Sequence, residues 1–591
     1  MVAETRNCQN CKRGFTVESE DFEFYKKISV PAPTFCFDCR LQRRMAWRNE
    51  RTLYKRKCNA PGHTEDIISM YAPETPYQVV DTKYWWSDAW DALESGRDYD
   101  FSRPFFTQFE ELTKRAPLLS LSLINSVNSD YTNYTDGNKN CYLAFGAGWN
   151  ENVNYSNKIM HNKDSQDLLG CSKCELAYEC VNCFECYRLL YSLNCKSCSN
   201  SSLLYNCRNC QNCFGCANLN SKSYCIFNVQ YTKEQYTEKM KELNVQDPES
   251  FANLRERFRQ EIYFKIPHRY ANIFNSVDCT GDNINNGKNC KSCFDVVEGV
   301  EDSRFMYGSL TTKDSYDGNG VFQNPLSYED VDANVGQNVH MSLTIYASND
   351  ISYSWNCHSC KDLFGCVGLR NKQYCILNEQ YTKEEYRELL PKVIEHMQAM
   401  PYVDSRGRSH GYGEFFPIAI SPFAYNEAMV QEYFTLSKEE IASNGFLWRD
   451  TVDRKYAPTM KAEQIPTALD FPDSVLQEVI ECPHRGQCHD QCTTAFKLIP
   501  AEVQFYRRVG LPLPRLCPNC RHYNRLKQRT PIKLWERQCQ CSGLLSDSGV
   551  YANTAAHAHG TGACQNKFQT AYAPERKEII YCEQCYQKEV V

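Results

Sequence analysis

From Cys171 to Cys225 the chain reads CSKCELAYECVNCFECYRLLYSLNCKSCSNSSLLYNCRNCQNCFGCANLNSKSYC. Cys171, Cys183, Cys195 and Cys207 stand twelve apart, and so do Cys174, Cys186, Cys198 and Cys210. Asn182, Asn194, Asn206 and Asn218 keep the same step. A fixed short period means stacked units of one kind. Twelve residues are too few for a helix–turn–helix unit and suit one coil of a β-solenoid carrying two short strands. Coils stacked about 4.8 Å apart set each residue over its counterpart. The cysteines then form two ladders and the asparagines a third, bonded side chain to side chain.

The repeat region occurs twice, 150 residues apart. Phe214 to Tyr236 (FGCANLNSKSYCIFNVQYTKEQY) returns as Phe364 to Tyr386 (FGCVGLRNKQYCILNEQYTKEEY), and Asn125-Ser126-Val127 returns as Asn275-Ser276-Val277. At this offset Cys171, Cys183, Cys186, Cys195 and Cys198 meet Val321, Ala333, Gly336, Ile345 and Ser348. Positions that accept Cys, Ala, Val or Ser alike behave as narrow interior sites, since free cysteine packs as a small hydrophobe. Iron–sulfur or other metal chemistry at the ladder is the alternative. Each copy ends in Gln-Tyr-Thr-Lys-Glu, where Thr232 with Gln235 and Thr382 with Glu385 fit capping boxes. Helices are expected over 232–243, with a second to about 264, and over 382–399, placed to cover the exposed strand edges of each solenoid end. Ser437 with Glu440 starts another helix.

Outside the repeats the cysteines fall into knuckles. Cys8-x2-Cys11 and Cys36-x2-Cys39 have the spacing of tetrahedral zinc, whose four thiolates staple a fold with little core. The pattern returns at an offset of 481 with Cys492, Cys517 and Cys520; there the counterpart of Cys8 is His489, with Cys488 one residue earlier, and either suits zinc. A further four-thiol site is expected from Cys539, Cys564, Cys582 and Cys585. Its N-terminal equivalent is degenerate: Cys58 remains, His63 takes the place of Cys564, and Asp81 and Tyr84 take those of Cys582 and Cys585. That second N-terminal site should be weak or empty. Cys541, His557 and His559 lie in an apparent insertion, and the two histidines read as loop residues because Cys564 already fills the pattern.

Basic residues follow the second knuckle of each module. Eight stand between Arg40 and Lys57 against one acid, Glu50. Arg40, Arg44 and Arg48 share one helix face, as do Arg521, Arg525 and Arg529. With Trp47 and Tyr54 nearby, such stripes could hold phosphates and stack bases; the plain alternative is a solvated helix face.

FEFYKKISVPAPTFCFDCRLQRR and VQFYRRVGLPLPRLCPNCRHYNR resemble the "probable zinc-ribbon domain" of uncharacterised bacterial proteins. The whole chain is similar to large Cys-rich members with ribbons at both ends and a central Cys/Asn repeat region. That resemblance implies zinc binding and supplies no activity. The chain departs from the pattern at Cys488/His489, at His63, Asp81 and Tyr84, and in the 540–563 insertion.

The expected architecture is mainly β with small α parts: a duplicated β-solenoid capped by helices and flanked by zinc-ribbon modules. The modules are 1–90 (ribbon with degenerate second site), 91–122 (connector), 123–268 and 269–400 (solenoid copies with capping helices), 401–480 (mixed connector) and 481–591 (double ribbon). The charge of −6 over 591 residues gives no global pull towards nucleic acid or anionic membrane. The opening MVAETRNCQNCK has no apolar core, so no secretory signal is expected, and no apolar run is long enough for a span. Thirty-five cysteines in such a chain point to metal sites in a reducing cytoplasm; an exported, disulfide-laddered solenoid is the alternative.

The function these features favour is a non-enzymatic zinc-binding scaffold or adaptor with about three zinc ions per chain. It docks on RNA, a ribonucleoprotein or a protein partner, with no membrane and no small-molecule substrate. The alternative is a redox or iron–sulfur enzyme using Cys171–Cys225. The chain lacks a P-loop, a G-x-G-x-x-G after a strand, H-E-x-x-H and G-x-S-x-G, and four-thiolate zinc leaves no open position for chemistry.

Overall fold

The structure, a computed structural model, describes residues 2–450, 456–466 and 469–590; the parts of the 401–480 connector and of the 481–591 module at other positions lie outside the described residues. It is built mainly of small β-sheets with a minority of helices. Two compact units divide the chain, each discontinuous in sequence. One comprises 1–121, 271–450 and 532–534, and the other 122–270, 451–531 and 535–591. Each unit therefore joins one copy of the repeat to one cysteine-knuckle module. No described helix is long and apolar enough to cross a membrane.

From Leu123 to Ile226 the chain pairs with itself in parallel, each residue with the one twelve positions on. Leu169 bridges Val181, Ser172 bridges Phe184, Glu175 bridges Tyr187 and Tyr178 bridges Leu190. These bridges recur at every third residue. The residue after each bridge sits in the left-handed region: Lys173 has φ +54°, Leu176 +54°, Glu179 +50° and Asn182 +52°. The residue before each bridge is buried, as at Cys171, Cys174, Ala177 and Cys180. A turn of twelve residues thus has four three-residue sides, where the sequence reading expected two short strands.

This geometry explains the composition. The interior of so tight a turn admits only small or slender side chains, and Cys, Ala, Val, Ile and Leu fill it in one continuous core. Backbone groups are satisfied by the turns on both sides: the Ser172 N–H donates to the Cys183 carbonyl at 3.0 Å and the Lys173 N–H to the Met160 carbonyl at 3.0 Å. A left-handed corner costs an ordinary L-residue about 1–2 kcal/mol, and asparagine tolerates it best after glycine. The asparagines at 182, 194, 206 and 218 are such corners. Asn206 donates to Asn218 at 2.8 Å, side chain to side chain. Longer amide ladders stand elsewhere, outward from Asn128 through Asn140 and Asn152 to Asp164, and inward through Asn162, Asn150 and Asn138.

The second copy pairs in parallel too, at steps of eleven to thirteen residues before Glu301 and of twelve from Glu301 on. Val331–His340 pairs in parallel with Leu343–Ser352, setting Ala333 beside Ile345 and Gly336 beside Ser348. Val321, Ala333 and Ile345 are buried where the first copy has cysteine. After each copy the capping boxes at Thr232/Gln235 and Thr382/Glu385 start helices Lys233–Glu242 and Lys383–Ala399. A further helix, Pro248–Arg257, sets Leu254, with Phe258 just beyond it, against Leu203, Tyr205, Phe214 and Ile226 of the first copy.

The knuckle modules share one plan. In the first, Glu4–Asn7 pairs antiparallel with Gly14–Val17, and helices Ser19–Lys27 and Phe37–Met45 follow. In the second, Ile480–Glu481 pairs with Ala495–Phe496, and helices Pro500–Val509 and Pro518–Leu526 follow. A second hairpin completes each module, Tyr54–Lys57 with Asp66–Ser69 and Trp535–Gln538 with Lys567–Thr570.

Candidate metal centres

The hairpin turn after Asn7 presents Cys8 and Cys11, and the helix Phe37–Met45 presents Cys36 at its N-cap and Cys39 in its first turn. Their sulfur atoms gather within 4.8 Å of one another. Zinc–sulfur bonds of about 2.3 Å give a tetrahedron with an edge of about 3.8 Å, and about 3.5 Å where nitrogen replaces one sulfur. Cys11 and Cys36 stand 3.6 Å apart, which fits such an edge and is far beyond the ~2.05 Å of a disulfide. Asn10 Nδ2 donates to Cys39 Sγ at 3.3 Å and Arg13 Nε to Cys11 Sγ at 3.5 Å, so thiolate charge is met by donors. Hydrogen bonds from Cys36 and then Cys39 pull the Cys8 thiol well below its ordinary range, against its burial.

In the C-terminal module the corresponding group is Cys482, Cys492, Cys517 and Cys520. Cys482 and Cys520 lie 3.9 Å apart and Cys492 and Cys517 4.0 Å. This corrects the sequence reading, which placed Cys488 or His489 as the fourth ligand. Cys482 follows strand Ile480–Glu481 as Cys8 follows strand Glu4–Asn7, and its N–H closes the hairpin on the Thr494 carbonyl as Cys8 does on that of Arg13. The loop between the first two cysteines is longer here, so a fixed offset landed beyond the true counterpart. The strand before Cys482 was the available signal. His489 is exposed. Cys488 lies 3.7 Å from Cys520, and His484 Nδ1 lies 3.2 Å from the same sulfur, forming a three-donor group at the edge of the four-thiol one.

The last group is Cys539, Cys564, Cys582 and Cys585, all buried, with Cys564 and Cys582 3.9 Å apart. The Cys582 N–H donates to Cys539 Sγ at 3.1 Å, and Asn566 Nδ2 to Cys582 Sγ at 3.4 Å. Cys582 is drawn down to about 4, first by the Cys539 thiol. Beside it Cys541, His557 and His559 gather with Cys585 as a second four-donor group. The histidines are therefore not plain loop residues, as the sequence suggested; the 540–563 insertion carries them to the knuckle.

At the degenerate N-terminal site, Cys58 Sγ stands 3.7 Å from His63 Nδ1 and 3.6 Å from Asp81 Oδ2, and His63 Nδ1 stands 3.2 Å from Asp81 Oδ2. Tyr84 sets its ring edge-on against His63, at 5.5 Å. The residues expected to meet do meet, with three donors where the C-terminal site has four thiols.

The arginine stripes are a correction. Arg40, Arg44, Arg521 and Arg525 are no more than 3% exposed. Arg40 pairs with Asp317 at 2.9 Å, and Arg44 with Asp317 at 3.2 Å and Glu329 at 3.0 Å. Arg43 joins Glu329 to Glu414. In the other unit Arg521 and Arg525 hold Asp167 at 2.6 and 2.7 Å, Arg521 reaches Glu502 at 3.1 Å, and Arg525 lies 3.9 Å from Glu179. Arg48 is mostly buried and bonded to Glu50, and Arg529 is partly buried. Asp167 and Glu179 are the first-copy counterparts of Asp317 and Glu329; Glu179, Asp317 and Glu329 each follow a tyrosine, and Asp167 follows Gln166. Tyr25 against Tyr328 and Tyr506 against Tyr178 repeat the same edge-to-face contact, at 5.5 and 5.6 Å. These guanidinium groups seat each module on its own ladder, which removes them from the reach of a phosphate backbone.

The ladder cysteines have a different environment from the knuckle cysteines. Cys171 Sγ donates to the Leu169 and Cys180 carbonyls, and Cys180, Cys183 and Cys207 repeat that pattern. Burial pushes Cys141 and Cys360 up to about 11, and Cys357 and Cys366 higher, whereas hydrogen bonds from neighbouring ladder thiols draw Cys171, Cys195 and Cys210 well down against their burial. All of these buried cysteines pack as small hydrophobes in the core.

No family model matches the chain, and no curated protein matches it. Among solved structures, one titled as a candidate acetyltransferase from Desulfovibrio desulfuricans G20 is similar at 11% identity over 49% of this chain and 75% of that one, with a TM-score of 0.10. That likeness carries no argument about fold or activity.

Proposed function

We propose that this chain is a zinc-binding, non-enzymatic scaffold of the reducing cytoplasm. In this reading each repeat copy is a β-solenoid and each knuckle module a zinc ribbon clamped to its side. The observation that carries it is the gathering of three four-thiol groups, Cys8/Cys11/Cys36/Cys39, Cys482/Cys492/Cys517/Cys520 and Cys539/Cys564/Cys582/Cys585, each within 4.8 Å. Four thiolates suit zinc and close its coordination, so the ions act as staples. The unpaired state of the cysteines fits a reducing compartment. The parallel pairing at a twelve-residue step supports the solenoid reading. What docks on the scaffold is read as a protein partner, because long regular flanks offer ordered surface and the arginine stripes are buried.

Elemental analysis of full-length protein purified without oxygen tests this. At least three zinc ions per chain and no iron is the expected result, with loss of zinc on Cys36→Ser. Iron in place of zinc, with visible absorbance, would overturn it.

A further inference from the structure

The two four-donor groups at the C-terminal end have one member in common. Cys585 closes the set Cys539, Cys564, Cys582 and also the set Cys541, His557, His559. Seven donors with one shared number what two tetrahedral ions need when a single thiolate bridges them. We propose that Cys585 is a bridging thiolate in a two-metal centre, the second ion held by Cys541, His557 and His559. This rests on the reading of the four-thiol groups as zinc sites.

The second set is built as a ligand set in its own right. Cys541 Sγ and His557 Nδ1 are 3.7 Å apart, and Cys585 Sγ and His559 Nε2 are 3.4 Å apart, both near the sulfur–nitrogen edge of a zinc tetrahedron, about 3.5 Å. Each histidine is anchored through the nitrogen facing away from the cluster. His557 Nε2 donates to Glu589 Oε1 at 2.8 Å, and His559 Nδ1 donates to the Gly562 carbonyl at 2.8 Å. Those bonds fix both tautomers, so the lone pairs of His557 Nδ1 and His559 Nε2 point at the cysteines. A carboxylate or carbonyl behind a ligating imidazole is the usual outer shell of a zinc histidine.

Glu589 is itself held in place. Its carboxylate accepts from the Thr554 and Ala555 N–H groups and from the Tyr551 and Thr554 hydroxyls. Asn553 Nδ2 donates to Cys541 Sγ at 3.2 Å, as Asn566 does to Cys582 in the first set. His557, Cys541 and Glu589 are nearly or wholly buried. A buried imidazole whose free nitrogen faces only sulfur lacks a hydrogen-bond partner of ordinary strength, and an ion supplies one. The N-terminal module has neither the insertion nor these donors, so the second ion belongs to the C-terminal end alone.

The test uses the full chain loaded with cadmium-113, compared with His557→Ala and Glu589→Gln variants by elemental analysis and cadmium NMR. The wild type should show two resonances coupled through the shared sulfur, one in the four-sulfur range and one in the sulfur–nitrogen range. His557→Ala should lose one ion per chain, collapse the coupling and keep the four-sulfur signal. Glu589→Gln should keep both ions but release one to a competing chelator at about 10–100-fold lower concentration; this readout stands even where the alanine variant fails to fold. Unchanged metal content and chelator response in both variants overturns the bridge while leaving the four-thiol sites standing. A chain that takes up no metal at all overturns the zinc reading itself.

Discussion

Buried carboxylates set how each knuckle module meets its ladder. Glu329 lies within ion-pair distance of Arg43 and Arg44, with Arg40 at 3.9 Å, and is fully buried. Neutralising it leaves three buried guanidinium groups sharing only Asp317 and Glu414, and breaking such a buried pair costs about 3–5 kcal/mol. Glu329→Gln should therefore lower hydrogen-exchange protection of helix Phe37–Met45 by roughly 10²–10³-fold. Asp167→Asn should do the same for helix Pro518–Leu526. A fall below tenfold would mean that the aromatic contacts, not the charges, seat the module. The sequence displayed the arginines and hid their purpose. Their i, i+4 spacing is local, whereas Asp317 and Glu329 lie more than 270 positions away. Four-thiol ligands were legible wherever C-x2-C kept its spacing. Cys482 was not, because loop length is free to change where a strand pairing is not.

At the scale of the element, the period of twelve was legible and the period of three beneath it was not. Cysteine marked the repeat because it is rare, but the inward positions also take Ala, Leu, Val and Ser, which scatter through any sequence. The left-handed corners were equally concealed, since Lys, Leu, Glu and Tyr occupy many of them beside asparagine. Asn200 is an exposed corner with φ +48°. Asn200→Val should cost about 1–2 kcal/mol, because a β-branched residue resists positive φ, while Asn200→Gly should be near neutral, strain relief offsetting the greater freedom of the unfolded chain. At the interior, Cys183→Ala should be tolerated, its second-copy counterpart being Ala333, whereas Cys183→Leu overfills the turn and should cost about 1–3 kcal/mol. Denaturant unfolding followed by circular dichroism checks all four. Equal costs for valine and glycine at 200 would remove the corner argument.

For the whole molecule, acid should act through histidines kept neutral by burial. Burial holds His340 down at about 4 and His358 at about 3. His340 Nε2 meets the Leu326 carbonyl at 3.1 Å, and His358 lies among Trp85, Trp86 and Asn356. In the unfolded chain both take a proton near pH 6.5. Above that pH neither state is protonated and the stability is whole. As pH falls below 6.5 the unfolded chain binds protons that the folded chain refuses, so stability is lost down to about pH 4 for His340 and about pH 3 for His358. Each neutral histidine can contribute up to about 1.4 kcal/mol per pH unit across its window, about 3 kcal/mol in all for His340. Thiolate protonation also releases metal on acidification, so the two causes need separating. The comparison is between wild type and His340→Asn from pH 7 to 5, with zinc content followed in the same samples. The variant should show a flatter decline in unfolding free energy at equal zinc occupancy. A decline of the same steepness in both, with zinc leaving in step, would assign acid sensitivity to the knuckles and leave the buried histidines as simple packing.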